Sequence, residues 1–106
     1  MPKYLFHSTY VGEGVKGLLK DGGSSRRTAA DKAAQAVGGS VEAMYFAFGE
    51  AETYVIADLP DNAAATALSL TINATGTVVT KPTVLMTPEE VDIAVKQSPS
   101  YRGPGQ

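Results

Sequence analysis

His7 is the only histidine in the chain, and there is no cysteine. Imidazole is the side-chain type whose ordinary proton exchange falls near neutral pH. Acid–base chemistry at that pH therefore turns on His7. Tyr45 and Tyr10 are the hydroxyls that could orient a phenolic or enolic substrate beside it. The plainer reading is a buried histidine satisfied by one hydrogen bond, or a polar spot in an interface. Without a thiolate there is no Cys nucleophile, no disulfide and no Cys-ligated metal. One imidazole excludes a multi-histidine metal centre within one chain. A Ser-His-Asp arrangement lacks its nucleophile elbow. No metal and no cofactor is expected.

A second group of residues points to anions. Asp21-Gly22-Gly23-Ser24-Ser25-Arg26-Arg27 joins permissive backbone to two hydroxyls and two guanidinium groups at a predicted helix start. Free N–H groups there favour an anion, and arginine adds forked donors. Arginine in a first turn opposes the helix dipole, so capping alone does not explain two of them. Ser24, Ser25, Arg26 and Arg27 are thus a candidate anion-binding set. The alternative is an ordinary helix start whose arginines pair with acids of a neighbouring chain. Gly12-Glu13-Gly14-Val15-Lys16-Gly17 spells a dinucleotide fingerprint after a predicted strand. The helix behind it is cut short by Asp21-Gly22-Gly23, and the acid expected after the next strand is displaced, so the match reads as accidental. Glu50 and Glu52 read as a solvated acidic turn.

The elements that must carry these residues follow from pattern. Residues 3–10 alternate and read as a strand. A short helix over about 14–20 ends at Asp21-Gly22-Gly23, and a second, alanine-rich helix runs from Ser24 or Ser25 to about Val37. Residues 40–48 and 53–59 are strands around Gly49-Glu50-Ala51-Glu52. Asp61 or Asn62 caps a helix to about Asn73, residues 77–86 form a strand, and Pro82 marks it as an edge or a bulge. Thr87-Pro88-Glu89-Glu90 opens a last helix to about Lys96. The order β-α-β-β-α-β predicts a ferredoxin-like α+β fold, an antiparallel sheet with helices on one face. Residues 1–97 form one domain, and the Pro/Gly-rich stretch 98–106 reads as a tail.

At 106 residues the core is small, and much of the 43% hydrophobic content is alanine. A net charge of −2 argues against nucleic acid. No 18-residue apolar run predicts a membrane span, and the start lacks the pattern of a secretory signal, so the cytoplasm is the expected compartment. Neither parity of the strands is plainly polar. The even positions, among them Tyr4, Phe6, Tyr10, Met44, Tyr54 and Ile56, are assigned to the helices. The odd positions, with His7 and Tyr45, are left for a partner copy, because bare apolar surface favours cover.

Several strings together resemble the GYD-domain proteins, small bacterial proteins: Met1-Pro2-Lys3-Tyr4-Leu5, Gly14-Val15-Lys16-Gly17-Leu18-Leu19-Lys20-Asp21-Gly22-Gly23 with Arg26-Arg27, Glu42-Ala43-Met44-Tyr45-Phe46-Ala47-Phe48-Gly49, Tyr54-Val55-Ile56-Ala57-Asp58-Leu59-Pro60-Asp61-Asn62, Leu85-Met86-Thr87-Pro88-Glu89-Glu90 and Tyr101-Arg102-Gly103-Pro104-Gly105. The resemblance implies a ferredoxin-like fold akin to the dimeric α/β-barrel proteins and brings no agreed function. The signature that names the family, Gly then Tyr and Asp, is replaced here by Gly49-Glu50-Ala51-Glu52. The leading functional expectation is a small soluble oligomeric module that binds a small ligand, an anion being one option. The alternatives are a cofactor-independent monooxygenase or isomerase with His7 as base, or a purely structural homo-oligomer joined through its sheet face.

Overall fold

The structure, a computed structural model of the 106-residue chain, describes residues 1–48 and 52–106. The expected turn at Gly49, Glu50 and Ala51 lies outside the described residues. The elements run β1 (Lys3–Tyr10), α1 (Glu13–Ala36), β2 (Ser40–Phe46), β3 (Thr53–Asp58), α2 (Asn62–Ala74), β4 (Val78–Leu85) and α3 (Pro88–Gln97). The result is an α+β fold with one four-stranded antiparallel sheet in the order β2-β3-β1-β4 and three helices.

The sheet is open. β2 and β4 are its outer strands, and they lie at opposite ends of the order. This corrects the expected kinship with α/β-barrel proteins. Closing a sheet around a side-chain-filled interior takes about eight strands, and this chain supplies half that number. Both edges carry features that discourage further pairing. β2 is interrupted by a bulge between Val41 and Ala43. Pro82 in β4, opposite Phe6, lacks a ladder donor. The side-chain amide of Asn73 on α2 also covers part of the β4 edge. It donates to the Thr80 carbonyl at 3.1 Å and accepts from the Thr80 N–H at 2.8 Å.

Helix α1 spans both helices expected for this stretch. They are joined end to end with a break at Gly22, whose φ of 78° and ψ of 172° leave the helical region. A side chain there would be strained, so glycine permits the kink. Gly14 has another reason to be glycine: a Cβ on it would collide with the Thr77 carbonyl oxygen. Part of the apparent dinucleotide motif is thus a close approach of helix to strand. Helix α2 begins at Asp61, whose carboxylate accepts from the Ala64 N–H at 2.9 Å. Helix α3 begins with a full capping box between Thr87 and Glu90.

The core lies between the sheet and helices α1 and α2. Tyr4, Phe6, Ala34, Ala57, Leu59 and Ala65 form its buried cluster. Small alanines on the helices leave room for rings on β1, and the Tyr4 hydroxyl donates to Asn62 Oδ1 at 2.6 Å. The expected even-face assignment holds for β1 and fails for β3. Across the β1–β3 ladder an odd residue faces an even one, as in His7 opposite Tyr54. Thr53, Val55 and Ala57 therefore turn to the helices, and Tyr54 and Ile56 turn away. The bulge in β2 changes parity again, so Val41 and Met44 both face inward.

Helix α3 stands apart. None of its residues is buried. The radius of gyration is 16.8 Å and the long axis 56 Å, against about 13 Å for a compact chain of this length.

Candidate functional site

The sequence-derived candidates fall on two sides of the sheet. His7 and Tyr45 lie on the open side. They belong to one row across all four strands: Tyr45 on β2, Tyr54 on β3, His7 on β1 and Lys81 on β4. Tyr54 separates His7 from Tyr45, which puts their backbones two strand spacings apart, about 10 Å. His7 Nε2 instead lies 3.3 Å from Thr83 Oγ1. Tyr45 is 70% exposed. Tyr10 is buried on the opposite, helix-facing side. The three residues proposed for acid–base chemistry are therefore not brought together.

The arginines also diverge, as neighbours on a helix must. Arg27 points along α1 and donates from Nε to Asp31 Oδ1 at 3.1 Å. Arg26 turns toward the sheet. Its guanidinium carbon lies 5.8 Å from the centre of the Tyr10 ring, and its Nε–H donates to the Tyr10 hydroxyl at 3.4 Å. Among the described residues Arg26 has no carboxylate partner. Ser24 and Ser25 are exposed, and Ser24 contributes its carbonyl to the Thr28 hydroxyl.

Arg26 stands between two cavities. The first, of about 130 Å³, lies between α1, α2 and the sheet. Phe6, Met44, Val55, Leu68 and Ile72 give it apolar walls, with alanines of α1 beside them, and Arg26 and Tyr10 are its strongest polar features. Among the described residues no acid lines it. The second, of about 140 Å³, is framed by Gly14, Gly17, Leu18 and Thr77, and it carries the acids Glu13 and Asp21. An anion drawn to Arg26 is therefore favoured on the first side and repelled on the second.

Sequence reasoning missed a set of hydroxyls. Thr53, Ser8 and Thr80 sit side by side on three neighbouring strands, all facing the helices. Ser8 Oγ donates to Thr80 Oγ1 at 2.8 Å. Thr53 is 2% exposed, and its Oγ1 has no hydrogen-bond partner among the described residues. Both Ser8 and Thr53 line the first cavity. Their alignment depends on strand register, so no short motif announces it. Glu52, read as part of a solvated turn, binds the Tyr10 N–H through Oε2 at 2.8 Å and so braces the strand beside Arg26.

A perturbed titration lies at the other end of the sheet surface, on Lys3. Lys3 Nζ bonds Asp58 at 2.8 Å and Glu42 at 2.7 Å. The hydrogen bond to Asp58, then that to Glu42, holds its ammonium above the ordinary value of 10.5. Among the described residues no three His, Cys, Asp or Glu side chains converge as metal ligands, and no helix is long and apolar enough to cross a membrane.

No curated protein and no solved structure matches the chain. One protein family does: the GYD domain matches residues 4–95 of the 106. That span runs from β1 into α3 and includes both cavities and the hydroxyl row, so the chain belongs to the GYD domain family.

Proposed function

We propose that the protein is a small-molecule-binding module whose ligand lies in the apolar cavity between α1, α2 and the sheet, with an anionic group on Arg26. The observation that carries this reading is a half-buried arginine beside an apolar cavity; among the described residues the arginine has no carboxylate partner and no acid lines the cavity. Concave, mostly apolar sites with a few placed polar groups are the usual form of small-ligand pockets. Tyr10 holds the guanidinium from one side through its ring and hydroxyl. Only one of the four residues first considered for anion binding, Arg26, lines the cavity.

A panel of monocarboxylates, aliphatic acids of four to eight carbons and benzoate, tests the reading by thermal shift. Binding raises the melting temperature by mass action. Arg26→Ala removes the rise and Arg27→Ala retains it. A panel that leaves the wild-type melting temperature unmoved, or a rise that survives Arg26→Ala, overturns the reading.

The exposed side of the sheet supports a second element, homo-oligomerisation through that face. Tyr45, Tyr54 and Val79 lie there exposed, with half-buried Leu5 and Ile56 between them. A second copy is the simplest cover for such a patch. Sedimentation velocity at micromolar concentration decides the matter, and a monomer across that range overturns it.

A further inference from the structure

We infer that the ligand is a one-ring carboxylic acid bearing a second polar group, a hydroxyl or carbonyl, that meets the hydroxyls of Thr53 and Ser8. This deepens the cavity reading above and rests on it. The new observation is the polar strip on an otherwise apolar floor. Buried hydroxyls are nearly always hydrogen-bonded, and one left alone carries a desolvation cost. Thr53 is that exception. It is almost fully buried, it lines the cavity, and its Oγ1 is without a partner among the described residues.

Ser8 extends the opportunity. Its proton is committed to Thr80, which leaves the lone pairs of Ser8 Oγ able to accept. Thr53 can donate or accept. The pair therefore suits a hydroxyl, which can do both, or a carbonyl held by the Thr53 proton. Thr80 is held in place by Asn73, so the Ser8–Thr80 bond has a fixed end on β4. The cavity volume of about 130 Å³ is close to that of engineered protein cavities of about 150 Å³ that take up benzene. A single ring matches such a space. Arg26 fixes the carboxylate, the apolar walls take the ring, and Thr53 and Ser8 read the substituent.

Calorimetric titration of benzoate, 3-hydroxybenzoate and 4-hydroxybenzoate into the wild type and Thr53→Val tests this. One of the hydroxy acids should bind the wild type about tenfold more tightly than benzoate, as one recovered hydrogen bond implies. Thr53→Val should erase that preference, so that the hydroxy acids and benzoate bind the variant with equal affinity. The variant keeps side-chain shape and removes an unpartnered hydroxyl, so it folds; circular dichroism confirms it. Equal affinities of the three acids for the wild type overturn the inference, and the cavity reading survives if Arg26→Ala still abolishes binding. A preference that persists in Thr53→Val assigns the substituent to other atoms and overturns it too. If no aromatic acid binds while aliphatic acids do so through Arg26, the one-ring class fails alone. If neither kind binds, both readings fail.

Discussion

The two sides of the sheet are built from the same strands and have opposite characters. The helix-facing side buries Tyr4, Phe6, Tyr10 and Ala57 under alanine-rich helices. Its polar groups are few, and each has a definite place: Thr53, Ser8 and Thr80 in one row, Arg26 beside Tyr10. The other side also carries aromatic and branched residues, but Tyr45, Tyr54 and Val79 remain exposed or half-exposed, and His7 and Thr83 bond each other there without cover. What separates the faces is cover rather than hydrophobicity. A ring contributes to stability only where something is packed on it, and a hydroxyl becomes selective only where water is excluded.

Substitutions can sharpen or break that contrast. The largest effect belongs to the covered face. Phe6→Ala should cost about 3–5 kcal/mol in chemical denaturation, as buried aromatic truncations do. Tyr45→Ala should cost less than about 0.5 kcal/mol at dilution, where its ring stays in water. A loss at Tyr45 that grows with protein concentration marks the open face as an assembly surface. Equal losses at both positions in the monomer break the contrast outright.

Arg26→Ala should weaken carboxylate binding by about tenfold or more, the scale of a hydrogen bond to a charged group. Arg27→Ala should leave the affinity unchanged, because Arg27 is occupied with Asp31. Thr53→Val should stabilise the ligand-free protein by about 1 kcal/mol, since it removes a buried hydroxyl with no partner. The measurement is a shift in denaturation midpoint, and destabilisation shows that the hydroxyl has found a partner of its own.

The smallest effect is electrostatic. The ammonium of Lys3 is held above its ordinary 10.5 by Asp58 and Glu42. The folded state therefore holds this proton more tightly than the unfolded one. Its contribution is complete below pH 10.5 and is lost as pH rises through the higher folded value. Comparing Lys3→Met with the wild type, the stability difference should narrow above that pH and be steady from there down to neutral, where Asp58 and Glu42 keep their charge. Lys3 is solvent-exposed, so the difference is small throughout.

Local chemistry was legible in the sequence where it acts within a few residues. Asp61 and Thr87 were readable as helix caps because a cap and its N–H lie three residues apart. Pro82 was readable as an edge residue because its missing donor is intrinsic. The faces of the sheet were legible in β1 and in β4, where Val79 and Lys81 share the open side with His7, but not in β2 and β3. A single extra residue at the β2 bulge, and an odd-to-even register between β1 and β3, reverse which side chains turn inward. That is why Tyr54 and Ile56 were placed in the core and Thr53 was overlooked. Arg26 was found by its type and its company, but the direction it takes depends on Tyr10, sixteen residues away.

Helix α3 has one more consequence. Its ends are well made, with Thr87 and Glu90 closing the first turn and Ser98 Oγ bonding the Val95 carbonyl at the last. Nothing along its length is buried in the rest of the chain. A ten-residue helix of this kind is marginal in water by itself. Thr87→Ala should therefore speed amide exchange through residues 88–97 and leave the global denaturation midpoint where it was. The same independence makes the chain severable: cleavage after Met86 should release a fragment that melts like the whole, with the ligand cavity intact.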